Sequence, residues 1–385
     1  MSGPRLLFIN HWASRLGGAE HSLLDILEEA AHRNDADVHL VTAEEGELVE
    51  RARALGVKTA VFRCDASLDT LKRGSITFTA LLRRLPAIVS FIRYALAVRS
   101  YVASVKPGLI HANVPKAHMT LFLLVLLGYR GRCCYHVREI FDAGSVPWRI
   151  YGMMPAKRRS AVLAISNAAR DSLPKRIHAI TRVVYNGVEV RHKLDRSEYD
   201  GPVRFIYLGR VVPWKGCHLI IEAFSKIAAR PGSCRAGTLD IVGDTLYWDQ
   251  AYRKTLEDLM VRSGCSGACR LLPHTHEPLT ILRDHDVFCI ASDREPFGRV
   301  VAEAQGCGLP VVAFASGGIP EIVNHDATGI LVAPGDVAAF AAAMEQFIDK
   351  PALLGEMGRA AHERALRYFN RDVQIKAIVD ILVGK

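Results

Sequence analysis

Two glutamates, Glu295 and Glu303, stand eight residues apart in the segment Ser292-Asp293-Arg294-Glu295-Pro296-Phe297-Gly298-Arg299-Val300-Val301-Ala302-Glu303-Ala304. An apolar run at 287–290 precedes it and a helical pattern follows from 300. The turn Pro296-Phe297-Gly298 is expected to open that helix, leaving first-turn N–H groups free to meet an anion. Glu295 sits just before them, where a carboxylate can accept hydroxyl protons. Eight residues are about two helical turns, so both carboxylates can approach one elongated ligand from the same side. On these residues alone a second reading stays open: Glu295 as a favourable N-terminal charge and Glu303 as a solvated helix residue.

A second constellation is Gly209-Arg210-Val211-Val212-Pro213-Trp214-Lys215-Gly216, after the apolar run 203–208. Its glycines bracket two cations five residues apart. A guanidinium fork and an ammonium point charge suit a diphosphate, although two solvated surface cations would look alike. Gly17-Gly18, before a helix expected from about Ala19, lets backbone N–H groups come close to a phosphate; a bland turn is the alternative. Gly317-Gly318-Ile319-Pro320-Glu321 repeats that pattern after 311–313, and Asn186-Gly187-Val188 reads as a tight turn.

The elements that must hold these residues follow one rhythm. Strands are expected at 6–10, 38–42, 58–62, 109–111, 134–137, 162–165 and 182–185, with helices such as 20–33 and 86–105 between them. The pattern restarts with strands at 203–208, 238–242, 270–272, 287–290 and 311–313, and helices at 218–229, 249–263, 300–307 and 337–348. Strand–helix alternation predicts parallel sheets covered on both faces. The polar stretch 191–202 reads as a linker. The expected organisation is α/β: a Rossmann-like domain over 1–190, a second over 203–363, and a helical tail over 364–385. Two doubly wound domains in tandem are expected to place a ligand cleft at the carboxyl ends of their strands. G-x-G-x-x-G is missing from the first strand–turn–helix and Walker A is missing altogether, so the fold class alone leaves function open.

The chain has 385 residues, enough for two cores, and a formal charge of +9. No Asp or Glu lies between Asp69 and Glu139, a stretch with eleven Lys and Arg residues. Within it, Leu81-Leu82-Arg83-Arg84-Leu85-Pro86 and Phe91-Ile92-Arg93-Tyr94 interleave basic and bulky apolar residues. This predicts an anionic membrane surface as a partner, with an ordinary half-solvated helix as the alternative. No recognised nucleic-acid motif accompanies the charge, so nucleic acid is not an expected partner. Nine cysteines without repeated spacing suggest a reducing compartment and mostly buried thiols. No secretory leader is legible, and the apolar run 119–129 is too short to span a bilayer. The expected location is the cytoplasm, in part peripheral on the inner membrane face.

The motifs in this order resemble glycosyltransferase family 4, the retaining nucleotide-sugar enzymes of the GT-B fold. The resemblance rests on Gly17-Gly18-Ala19-Glu20, Tyr185-Asn186-Gly187-Val188, Gly209-Arg210 with Lys215-Gly216, Val242-Gly243-Asp244, the block from Glu295 to Glu303, and Gly317-Gly318 with Glu321. Thr328-Gly329-Ile330-Leu331-Val332 and Pro334-Gly335-Asp336 complete it, over essentially the whole chain. The resemblance implies that Arg210 and Lys215 hold the donor diphosphate and stabilise its departure. It gives Glu303 the ribose hydroxyls, and Glu295 with the N–H groups near Phe297 and Gly298 the donor sugar. Gly17 and Gly18 would close over the phosphate. Pro273, His274 and Thr275 would meet the nucleobase, and the last helix would return to the first domain. Where the family often carries a second histidine two residues past the one matching His111, this chain has Asn113. His136 is therefore preferred to His111 for the catalytic centre, with a satisfied core histidine as the alternative for both.

The implied reaction moves a sugar from a nucleoside diphosphate of the UDP or GDP type to a glycan or lipid-linked acceptor. No Asp-x-Asp motif is present, and neither a metal nor another cofactor is expected. Leaving-group charge would be stabilised by cations and helix N-termini. A nucleotide-sugar epimerase on the same fold and a non-catalytic nucleotide-sugar binder are the competing readings. Product formation without an acceptor would favour the first, and binding without turnover the second.

Overall fold

The computed structural model describes residues 4–14, 16–33, 36–64, 85–153, 160–191, 201–228, 237–244 and 250–384. Arg15, the pair Arg83-Arg84 and most of the expected linker lie outside the described residues.

Strands and helices alternate as β1 (Arg5–Ile9), α1 (Gly18–His32), β2 (Asp37–Thr42), α2 (Glu47–Ala54), β3 (Lys58–Val61), α3 (Leu85–Val105), β4 (Leu109–Ala112), α4 (Pro115–Leu126), β5 (Arg132–Val137), α5 (Val146–Met153), β6 (Ser160–Ala164), α6 (Asn167–Asp171) and β7 (Thr181–Val183). The second series is β8 (Arg204–Leu208), α7 (Cys217–Ala228), β9 (Thr238–Val242), α8 (Gln250–Arg262), β10 (Cys269–Leu272), α9 (Pro278–Arg283), β11 (Val287–Ile290), α10 (Arg299–Gly306), β12 (Val311–Phe314), α11 (Ile319–Ile322), β13 (Gly329–Val332), α12 (Val337–Asp349), α13 (Ala352–Tyr368) and α14 (Arg371–Val383).

The first seven strands form one sheet in the order β3-β2-β1-β4-β5-β6-β7, and the next six form another in the order β10-β9-β8-β11-β12-β13. Every pairing in both is parallel. Strands such as β4, β11 and β12 are buried along their whole length, which is why they read as unbroken apolar runs rather than alternations. Each sheet reverses its winding once, between β1 and β4 and between β8 and β11. Chain crossovers diverge there and leave a crevice beyond the carboxyl ends of the strands, where ligands of such sheets bind.

The chain divides into two units. One holds residues 1–165, 169–184 and 375–385; the other holds 166–168 and 185–374. The sequence reading places these boundaries at 190, 203 and 363. It also treats 364–382 as one helical pattern, whereas the helix breaks at Phe369-Asn370. Phe369 is fully buried, worth about 1.5–3 kcal/mol by burial of its ring. Its carbonyl accepts from Val188 N–H at 2.8 Å, and Arg371 N–H returns to the Val188 carbonyl at 2.9 Å. Asn370 then caps the new helix through Val373 N–H at 3.2 Å.

Beyond the break, Ile375, Ile378, Val379 and Leu382 recur at helical spacing and join the core of the first unit with Leu6, Phe8, Leu23, Leu27 and Leu109. Arg33 pairs with Asp380 at 2.7 Å, and Arg132 donates to the carbonyls of Ile381 and Leu382 at 3.0 and 3.1 Å. A cation on the last free carbonyls of a helix suits its negative end.

Candidate functional site

In the second unit the winding reversal brings together the loops after β8 and β11. Gly209 and Arg210 leave β8, and a short 3-10 turn, Pro213–Lys215, carries the second cation. Gly216 follows at φ 71°, where a Cβ would lie 2.2 Å from the Ala291 carbonyl oxygen. Only glycine lets this turn rest on the end of β11. Asp293 N–H donates to the Trp214 carbonyl at 2.9 Å and ties the loops together. Lys215 Nζ then donates to Glu295 Oε2, with both side chains mostly withdrawn from water. Lys215 Nζ also lies 4.4 Å from the centre of the Trp214 ring, and the exposed Arg210 guanidinium lies 5.5 Å from it. Trp214, which the sequence reading leaves without a role, thus orders both cations.

Glu295 is held from behind. Gly318 N–H donates to the Glu295 carbonyl at 2.7 Å. Gly317 has φ 57°, and a Cβ there would lie 2.0 Å from the same oxygen. This glycine pair therefore supports the Glu295 loop by close backbone packing. Gly298 caps α10 at φ 96°. The Phe297 ring is buried, stacked on Tyr185 at 5.9 Å and edge-on to Phe369 at 5.8 Å, so Phe297 has its backbone rather than its ring to offer. The helix begins only at Arg299, so Glu303 lies about one turn into α10 rather than two turns along a helix from Glu295; it is mostly buried and accepts from Arg299 Nε at 2.9 Å. Pro273, His274 and Thr275 leave the edge strand β10, with Pro273 and His274 exposed. They stand two strand spacings from β8, ~10 Å.

Glu321, quoted above only as part of a motif, makes the densest carboxylate contacts. It accepts from Asn167 N–H and Nδ2 at 2.7 Å each, Ala168 N–H at 2.9 Å and the Tyr185 hydroxyl at 3.2 Å. It thereby anchors residues 166–168 to the second unit. No local pattern announces this role, because its partners are more than 130 residues away in sequence.

In the first unit the reversal gathers Asn10, Asn113 and the Gly17-Gly18 turn. Asn113 Nδ2 donates to Asn10 Oδ1 at 3.0 Å and to the Ala19 carbonyl at 3.2 Å. Arg138 Nε donates to Asn113 Oδ1 at 2.8 Å. Asn113, the departure from the family pattern, thus fastens the start of α1. Glu20 accepts from Gly17 N–H at 3.0 Å in a capping arrangement. A Cβ on Gly18 would meet nothing within 4 Å, so packing inside the chain does not demand this glycine.

His111 and His136 are both fully buried on β4 and β5, with His111 Nε2 3.1 Å from His136 Nδ1. Arg138 Nη2 also lies 3.3 Å from that Nδ1. A guanidinium only donates, so His136 Nδ1 accepts and the shared proton sits on His111. Burial first, then Arg138, hold both rings well below the usual histidine range, so both are neutral at pH 7. His118, against the Tyr151 hydroxyl at 2.5 Å, is lowered to about 4, chiefly by burial. Among the described residues no cluster of His, Cys, Asp and Glu could hold a metal ion.

Two parallel sheets, each wound 3-2-1-4-5-6 from its first strand, define the GT-B class of fold. The family profile "Glycosyltransferase Family 4" matches residues 16–192, and "Glycosyl transferases group 1" matches 191–364. The chain belongs to the family-4 glycosyltransferases. It is 32% identical over 193 residues to glycogen synthase of Mycobacterium tuberculosis (strain CDC 1551 / Oshkosh), covering 49% of this chain and 44% of that protein. It is 31% identical over 195 residues to the lipopolysaccharide core biosynthesis glycosyltransferase LpsE of Rhizobium meliloti (strain 1021), covering 51% and 53%. The chain thus spans about half the length of the curated relatives it matches. Among solved structures, Anabaena Alr3699/HepE in complex with UDP superposes with TM-score 0.80 at 24% identity, over 99% of this chain and 100% of that one. The apo lipopolysaccharide outer core galactosyltransferase WaaB gives 0.75 at 14% identity, over 99% of each chain. At these identities the likeness is one of fold.

Proposed function

We propose that this chain is a retaining glycosyltransferase that moves a sugar from a nucleoside-diphosphate-sugar to a glycan or lipid-linked acceptor at an anionic membrane surface. The observation that carries the reading is the meeting of Lys215 and Glu295 at the winding reversal of the second sheet, beside Arg210 and the glycine-capped start of α10. Arg210 and Lys215 take the diphosphate, and helix N–H groups add positive potential. Glu295 orients the sugar hydroxyls, Glu303 the ribose, and the segment 273–275 the base. Charge that develops on the departing diphosphate meets fixed cations, so little reorganisation accompanies bond cleavage. That Alr3699/HepE was solved with UDP and with UDP-glucose supports a nucleotide-sugar donor here. Gly18 supports a phosphate approaching the start of α1, since the chain leaves the space above it open. His136 is assigned a positioning role through Arg138 and Asn113, because a neutral, buried ring is poorly suited to exchanging protons with substrate.

The membrane part rests on α3. Ile88, Val89, Ile92 and Leu96 are exposed along it, and Leu126 and Leu127 are exposed at the end of α4, which packs on it. The stretch Pro86–Val105 is long and apolar enough to cross a bilayer. Its opposite face, with Phe91, Tyr94, Ala95, Val98 and Val102, is buried in the first unit, which favours lying in the interface. The test of function is a donor screen with a panel of nucleotide sugars, with and without lipid extract, reading released nucleoside diphosphate. Acceptor-dependent release is expected; no release from any donor together with no UDP or GDP binding rejects the reading.

A further inference from the structure

The first unit holds a cavity of about 840 Å³ beyond the carboxyl ends of β2 and β3. Glu44 and Glu45 line it after β2, Phe62, Arg63 and Cys64 after β3, and Ser90, Arg93, Tyr94 and Ala97 along one face of α3. Both carboxylates are committed within the unit. Glu44 Oε1 accepts from Ala13 N–H at 3.0 Å, Ser14 N–H at 2.8 Å and the Ser14 hydroxyl at 2.6 Å. Glu45 pairs with Arg53 at 3.1 Å. Arg63 and Arg93 are exposed, and among the described residues neither is paired with a carboxylate. Two guanidinium groups thus remain in the lining to meet an anion, while Glu44, still an anion, is engaged by the Ala13-Ser14 segment. Beneath the cavity, the Tyr94 hydroxyl is buried without a hydrogen-bond partner. An unpaired buried hydroxyl costs about 1–3 kcal/mol and is most readily retained where a ligand can satisfy it. His11, edge-on to Tyr94 at 5.7 Å, joins this floor to the winding reversal of the first sheet.

We infer that this cavity is a subsite for a phosphate-bearing acceptor, with Arg63 and Arg93 taking the phosphate oxygens and Phe62, Val61 and Ala97 flanking the carbon skeleton. The inference rests on the glycosyltransferase reading and names the acceptor's chemical class. Guanidinium forks suit phosphate better than a neutral hydroxylated surface does, because each makes charge-assisted, bidentate bonds. The volume falls within the range of small-molecule sites, so a phosphorylated sugar ring fits. The cavity shares α3 with the exposed apolar row Ile88, Ile92 and Leu96, so two carriers of the phosphate fit, a soluble sugar and a lipid lying against that row.

The experiment uses the full chain. Equilibrium dialysis compares glucose 6-phosphate with glucose, and flotation compares neutral phosphatidylcholine vesicles with and without dodecyl phosphate. The variants are R63S/R93S and, as a control outside both the cavity and the α3 surface, R262S on α8, where the residue is exposed; UDP binding and thermal midpoint are followed in each. The expected result is a preference for phosphate of about tenfold or more that is lost in R63S/R93S and kept in R262S, with UDP binding and midpoint unchanged. Preference in dialysis assigns a soluble source; preference confined to vesicles assigns a lipid-borne one. Absence of any phosphate preference in both arms, its survival in R63S/R93S, or an equal loss in R262S overturns the inference. Intact UDP binding in that case leaves the donor reading standing, whereas wild-type protein that binds neither UDP nor GDP sinks the function itself.

Discussion

Lys215 reaches across from the loop after β8 to the Glu295 carboxylate in the loop after β11, and both side chains are at least 86% withdrawn from water. The pair sets the position of the carboxylate as well as the charge at the site. Arg210, exposed and near the Trp214 ring, holds no such partner in place among the described residues. Arg210→Ala should therefore lower turnover about ten- to a hundredfold with an unchanged thermal midpoint. Lys215→Ala should lower turnover at least as much and also lower the midpoint, because it strands a buried carboxylate. Steady-state rates and thermal denaturation check both. Near-normal rates in the two variants would reject the assignment.

Glu295 and Glu303 should separate in kinetics. Glu295 lies at the start of the α10 turn and is assigned to the sugar, so Glu295→Gln should reduce kcat with modest change in product-nucleotide binding. Glu303 lies about one turn into α10 and is assigned to the ribose, so Glu303→Gln should weaken nucleotide binding about tenfold, a loss of one hydrogen bond to a charged group. Calorimetric titration with UDP and GDP, beside initial rates, gives the division. The opposite division would exchange or remove these roles.

Two glycines that look alike in the sequence should behave differently. Gly317 is at positive φ, with a Cβ position 2.0 Å from the Glu295 carbonyl oxygen. Gly317→Ala forces the Glu295 loop to move and should cost several kcal/mol of stability along with activity, on the order of the penalties for strain and overpacking combined. Gly18 has open space around its Cβ position. Gly18→Ala should keep the thermal midpoint and weaken donor binding. Equal stability losses in the two variants would remove the argument for a phosphate at Gly18.

Among the described residues, burial is the largest cause that holds His111 and His136 well below the usual histidine range and His11 and His118 at about 4. Their unfolded values are about 6.5. Above that pH neither state is protonated and the full stability is present. As pH falls from about 6.5 toward 4, the unfolded chain takes up protons that the folded chain refuses, so stability declines by up to about 1.4 kcal/mol per pH unit for each histidine. Urea midpoints should therefore drop between about pH 7 and pH 5, before carboxylates contribute much. His11→Phe removes one such group and should make the decline shallower. A flat profile, or one that His11→Phe leaves unchanged, would contradict the burial argument.

How far the sequence reading reached follows the range of the interactions involved. Parallel strands such as β11 are buried on both faces, and their apolar runs are legible locally. The glycine-bracketed loop at 209–216 and the Glu295–Glu303 block were legible because the chemistry needs those types at those spacings. The direct Lys215–Glu295 contact was not, since it joins residues 80 apart. The break at Phe369-Asn370 was hidden because 364–382 continues a helical pattern; only the exchange of bonds with Val188 interrupts it. Asn113 was legible as a departure from a family pattern, but its bonds to Asn10 and Ala19 depend on the winding reversal of the first sheet. The cavity above Tyr94 gave no signal, because its cations come from a loop and a helix whose pairing the local pattern does not encode.

The last prediction concerns the membrane surface. Along α3, Ile88, Ile92 and Leu96 recur every four residues and are 36%, 48% and 47% exposed, while Val89 adds 52%. Leu126 and Leu127, at 66% and 43%, extend this patch from the end of α4, and Arg99 Nε, 3.4 Å from the Leu127 carbonyl, ties the helices there. Arg93 and Arg99 are exposed on α3 and Arg130 follows α4, with no acidic residue anywhere from Thr70 to Arg138. An apolar row flanked by cations alone fits an anionic interface: the aliphatic side chains enter the headgroup region and the cations meet lipid phosphates. Each cation near such a surface contributes about 1 kcal/mol, so two or three suffice to raise binding tenfold or more. The full chain should float with vesicles containing anionic lipid, less so at high salt, and little with neutral ones. Arg93→Ser with Arg99→Ser should reduce flotation with anionic vesicles, and Ile92→Ser with Leu96→Ser should reduce it even at low salt. Loss in the first pair alone would mean that the surface is read by charge without insertion. Equal recovery on neutral and anionic vesicles, or flotation indifferent to both pairs, would refute membrane docking and point to a soluble acceptor.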